Sequence, residues 1–174
     1  LDGSYFVDKR LLHVDIGDGT TELTFTQGYK HDSGKSTGLD FGLGEALELA
    51  LIPFQNEMEK YNLKVKRQDL SMYLTNKDSG FHELAINCLK QNLEQLVSDI
   101  ELAIKDRAAE LKLEFDVIVV YGGASIILKD LLYPRLVEYF KPVNKEVLWI
   151  PAEYAIDMNV LGMQIFNDLT YSKK

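Results

Sequence analysis

Residues Asp15, Gly17, Asp18, Gly19, Thr20 and Thr21 have the types and spacing to hold a phosphate chain and its cation. Asp15 lies near the end of the apolar run Leu11-Leu12-His13-Val14-Asp15-Ile16. The carboxyl end of a buried strand is where open α/β sheets place their ligands. A hard carboxylate oxygen at that position suits Mg²⁺, which usually keeps several of its waters. Gly17 and Gly19 let the backbone come close to a ligand, so its amide hydrogens can point at phosphate oxygens. The Thr20 and Thr21 hydroxyls can donate to the same oxygens. Asp18-Gly19 is also a hairpin signal, and an ordinary β-hairpin is the competing reading. A hairpin needs only two special residues, whereas here a carboxylate, two glycines and two threonines cluster.

About 105 residues further on, a second apolar run, Val117-Ile118-Val119-Val120-Tyr121, ends in Gly122-Gly123-Ala124-Ser125. This turn has the same character as the first: a strand, then backbone with little side chain in the way. Two such turns in one short chain predict a nucleotide held at both ends.

The elements that must position these turns are legible from periodicity. Strands are predicted over 11–16 and 22–28, because Leu23-Thr24-Phe25-Thr26 alternates apolar and polar. Residues 30–38 are polar and read as a loop. Leu43, Leu47, Ala50, Leu51, Phe54 and Met58 recur at helical spacing and predict a helix over 43–60. Pro53 should kink it or start a second segment. A short helix is expected near 69–76. A stripe from Leu84 through Ile104 to Leu111 predicts one long helix over 81–112, about 48 Å at 1.5 Å per residue. A strand at 117–120, a helix near 126–140, a strand at 147–150 and a final helix over 152–168 complete the reading. The sheet core would then combine 1–40 with 113–174, around a largely helical insertion at 41–112.

Other chemistry-bearing residues carry weaker signals. Gly34-Lys35-Ser36-Thr37 resembles the end of a P-loop, but the required first glycine falls on Tyr29. His13, His31 and His82 are too scattered for a metal triad. Cys88 lies on the apolar stripe and reads as a packing residue. Lys64-Val65-Lys66-Arg67 reads as a solvated turn, with contact to a ribose or to a filament neighbour as its alternative.

Composition narrows the classes. The chain has 174 residues with 46% hydrophobic content, enough for a proper core. Its net charge of −8 argues against direct nucleic-acid binding, which needs a basic face. No apolar run approaches the ~20 residues of a spanning helix, so no membrane partner is expected. The single cysteine fits a reducing, cytoplasmic setting.

The stretch Asp15–Thr21 resembles the second phosphate motif, Asp-x-Gly-x-Gly-Thr-Thr, of the actin-like ATPase superfamily of actins, heat-shock chaperones and sugar kinases. Gly122–Ser125 is similar to that superfamily's adenosine motif. Pro151–Gly162 is similar to its second connecting helix, with Met158 where the family has alanine. The resemblance implies an α/β, ribonuclease-H-like lobe: a mixed central sheet flanked by helices, with an inserted, mainly helical subdomain typical of the actin-like branch. It implies ATP and Mg²⁺ as cofactors, with Asp15 at the metal, Gly17, Asp18, Gly19, Thr20 and Thr21 on the phosphates and ribose side, and Gly122, Gly123, Ala124 and Ser125 under the adenosine. The first phosphate motif and the water-activating residue of the superfamily have no counterpart here. The chain is therefore expected to be the second lobe alone, binding ATP weakly and hydrolysing it poorly, with catalytic residues supplied by the other lobe. The ParM-type plasmid-segregation actins are the most similar group. They imply self-assembly into filaments and DNA contact only through an adaptor. A lobe of a metabolic small-molecule kinase and a morphogenetic scaffold actin are the alternatives.

Overall fold

A computed structural model describes residues 3–158. Five strands form one mixed sheet: β1 (Arg10–Ile16), β2 (Thr21–Gln27), β3 (Lys30–Leu39), β4 (Val117–Tyr121) and β5 (Glu146–Trp149). Their order is β3-β2-β1-β4-β5. The first three strands run antiparallel as a meander, and β1, β4 and β5 run parallel. Three helices, α1 (Leu43–Glu59), α2 (Arg67–Thr75) and α3 (His82–Glu110), lie in sequence between β3 and β4. Helix α4 (Ser125–Phe140) makes the crossover from β4 to β5, and a single turn, α5 (Ala152–Ala155), follows β5.

Both faces of the central strands are apolar, which explains why β4 is a continuous apolar run and does not alternate. On one face Leu12, Val14 and Ile16 of β1 join Ile118 and Val120 of β4 and pack with Leu47, Phe54, Leu89, Ile100 and Leu128 from the helices. On the other, Leu11, Val117 and Val119 pack with Phe6, Tyr121 and Leu148. The first cluster runs without a break from the sheet into the three inserted helices, so those helices share the sheet's core. Helix α3 is 29 residues long, about 44 Å, close to the expected span.

Two expectations are corrected. Residues 30–38 are not a loop: they form the edge strand β3, paired to β2 from Lys30 to Leu39. An edge strand wetted on both sides buries no stripe, so its sequence carries no alternation. Its polar side chains instead repair the ladder where the register shifts between Leu23 and Phe25. The Ser36 hydroxyl accepts the Phe25 amide at 3.1 Å and donates to the Asp32 carbonyl at 2.8 Å. Nor does Pro53 start a second segment, since α1 runs through it as one helix. Pro53 and Leu49 are both solvent-exposed, so water can satisfy the Leu49 carbonyl that the proline leaves without its usual donor.

Candidate functional site

The first glycine turn connects β1 to β2 and closes tightly, with the Gly17 amide donating to the Thr20 carbonyl at 2.9 Å. Asp15 is half-buried at the end of β1, while Asp18, Gly19 and Thr20 are exposed at the apex. The turn is seated on the start of α1. The Leu43 amide donates to the Gly17 carbonyl at 3.2 Å, and the Gly44 amide to the Asp18 carbonyl at 2.6 Å. Gly42 makes this seating possible, because a Cβ there would lie 2.6 Å from both carbonyl oxygens.

The second turn lies directly beside the first. Asp15 pairs with Tyr121 in the parallel β1–β4 ladder, so the two strands end level with each other. Gly122 then turns with φ +95°, and a Cβ on it would fall 2.3 Å from the Asp15 Oδ1 and 2.4 Å from the Ile16 carbonyl oxygen. The Ala124 amide donates to that Ile16 carbonyl at 3.0 Å. Only a glycine in the left-handed region fits at 122. Both glycine turns therefore sit at the carboxyl edge of adjacent parallel strands, as the ligand rule for open sheets requires. Gly19 and Gly123 face open space, with nothing within 4 Å of a Cβ built on either.

The ten candidate residues divide by what their side chains already touch. The Thr21 hydroxyl is buried and donates to the Phe41 carbonyl at 3.0 Å. It secures the approach to α1, and its donor is committed to that carbonyl. Ser125 is equally buried, its hydroxyl donating to the Gly122 carbonyl at 2.7 Å. Thr20 offers an exposed hydroxyl, and Gly19 and Gly123 offer open backbone, whereas the Gly17 and Ala124 amides already bond the Thr20 and Ile16 carbonyls. Asp15 is held against Gly122, and burial, with the nearby Asp15 charge adding to it, pushes the Tyr121 hydroxyl up to about 12.

Asp18 has a partner that the sequence reading missed. Arg67, the first residue of α2, donates from Nη2 to the Asp18 Oδ1, and its Nε lies 3.2 Å from Glu48 Oε1 on α1. The Nε–Glu48 pair is close but off hydrogen-bond alignment, so that link is coulombic. The basic run 64–67 is thus not wholly solvated. The available signal was the pair of glycines at 42 and 44, which announced close backbone approach without naming the cation above them.

A Mg²⁺–phosphate pair needs one or two protein carboxylates and takes its other oxygens from phosphate and water; Asp15, half-buried at the end of β1, is one carboxylate here that could serve. Among the described residues, no group of three or more His, Cys, Asp or Glu side chains could hold a metal unaided. No helix among them is long and apolar enough to cross a membrane. Of the expected connecting helix, Ala152–Ala155 is helical and supports the second turn, with the Ala155 carbonyl accepting the Gly122 amide at 3.0 Å. The Asn159–Gly162 part lies outside the described residues.

No family profile and no curated protein matches the chain. Solved structures do. A non-polymerisable quadruple mutant of pCBH ParM matches with a TM-score of 0.67 at 17% identity, covering 95% of this chain and 49% of that one. ParM from Bacillus thuringiensis with ATP matches at 0.65 and 13% identity, covering 92% and 47%. The archaeal actin homologue Ta0583 in its native form matches at 0.60 and 17% identity, covering 94% and 49%. The chain has an actin-like fold. It spans about half the length of these structures, which fits one lobe of that architecture.

Proposed function

We propose that this chain is the nucleotide-binding second lobe of an actin-like protein of the ParM type, built from a sheet core of residues 1–40 and 113–174 with a helical insertion at 41–112. One observation supports it above all: Gly122 packs on Asp15 and Ile16, which sets the two glycine turns side by side at the carboxyl edge of β1 and β4. Similar folds were solved with ATP, ADP and AMPPNP. On this reading, the backbone amides of Asp18 and Gly19 and the Thr20 hydroxyl orient the phosphates by donating to their oxygens, while the Gly17 amide holds the turn closed on the Thr20 carbonyl. Thr21 and Ser125 act indirectly, by fixing the two turns. Gly122, Gly123 and Ala124 leave a flat floor for the adenosine. Asp15 holds Mg²⁺ through water, and that cation offsets phosphate charge when bound. The whole protein would polymerise when ATP draws the two lobes together, and contact DNA through an adaptor in plasmid segregation.

Sedimentation of the full-length protein tests the filament. ATP-dependent pelleting that reverses with ADP is the expected result, whereas sugar-dependent ADP release without pelleting would replace it with a kinase. In the intact protein, Asp15→Ala should abolish Mg²⁺-dependent ATP turnover. Unchanged turnover would remove Asp15 from the metal.

A further inference from the structure

Arg67 bridges three pieces of the fold beside the first turn. Its guanidinium touches Asp18 at the apex of the first turn and Glu48 on α1, and its Nη2 would lie 2.7 Å from a Cβ at Gly44. It is the first residue of α2, whose opening turn is locked by the Asp69 carboxylate accepting the Lys66 amide at 2.7 Å. Asp18 itself presents a problem for any anionic ligand. A bare carboxylate at the tip of a phosphate-binding turn repels the phosphates the turn is shaped to hold. The cation that offsets it comes from 49 residues away, from the helical insertion.

We propose that Arg67 is a positioning residue of this site: by neutralising and orienting Asp18 it sets the 17–20 turn to accept a phosphate chain, and through Glu48 it makes α1 and α2 part of the same rigid unit. The inference rests on the nucleotide reading only for the identity of the ligand; the coupling between Arg67, Asp18 and the turn is a property of the protein without it. Arg67 acts through Asp18 and is not itself assigned a ligand contact.

Two measurements on the intact protein test it. Without nucleotide, Arg67→Ala and Asp18→Asn should each speed hydrogen exchange of the Leu43 and Gly44 amides, which dock the turn on α1, by about threefold to fivefold. The double variant should exchange no faster than either single one. Unchanged exchange in the single variants, or additive effects in the double, would overturn the proposal. Second, calorimetry with Mg²⁺–ATP should show Arg67→Ala weakening binding roughly threefold to fivefold. In the Asp18→Asn background the same change should cost less than about twofold. An equal loss in both backgrounds would mean that Arg67 meets the ligand directly and would overturn the positioning role. A wild-type protein that binds no ATP refutes the nucleotide reading, and the exchange data still decide the coupling.

Discussion

At the residue scale, the site depends on one absent methyl group. Gly122→Ala must relieve both a positive φ and a Cβ placed 2.3 Å from Asp15 Oδ1. Such a combination costs about 2–4 kcal/mol, and the turns must separate to accommodate it. Thermal melts should show that loss, and Mg²⁺–ATP affinity should fall with it. A variant that melts like the wild type would mean the turns are less tightly apposed than described. The glycines and Asp15 were legible in the sequence because backbone approach leaves a compositional trace. The roles of Thr21 and Ser125 were not, because a hydroxyl's direction is set by a carbonyl supplied elsewhere, at Phe41 or Gly122. Arg67 was legible only as a charge, since its partner is remote in sequence.

At the scale of elements, period 3.6 predicted α3 well, and the structure separates its faces sharply. Ile100 is fully buried and Leu102, two residues on, is 58% exposed. Ile100→Ala should therefore cost about 2–5 kcal/mol, while Leu102→Ala should stay within about 0.5 kcal/mol. Denaturant melts of the two variants check this, and equal losses would show that the helix is rotated from the described register. Period 2 worked for β2, whose Leu23 and Phe25 face the core, and failed for β3, which has no buried face to record. The ion pairs that fasten α4 to α3, Arg135 with Glu94 and with Glu101, left no periodic signal either. They hold partly exposed side chains, and each is expected to contribute little.

At the scale of the whole molecule, the central strands β1 and β4 are covered on both faces, and this sets how stability depends on pH. His13 lies on the second face of β1, its Nε2 2.9 Å from the Thr26 hydroxyl, and its ring meets Tyr121 edge-on. Burial, and secondarily the charge of His31, pushes its pKa down from 6.5 to about 4. A His with a depressed folded pKa is protonated first in the unfolded chain. Its contribution to stability is thus complete above about pH 6.5 and is lost as pH falls toward about 4. The difference in melting temperature between wild type and His13→Leu should shift against the wild type across that window. A difference that does not vary with pH would mean that His13 takes up its proton as readily in the fold as in the unfolded chain.

The parallel pairing of β1 with β4 joins segments separated by about 100 residues. Closing so long a loop is entropically slow, and neither segment can hold the other before the helices between them have collapsed. On a ribosome, the first turn would emerge long before its neighbour is synthesised. A nucleotide that needs both would bind only a chain that has finished folding, so its capture would serve as a late checkpoint on maturation.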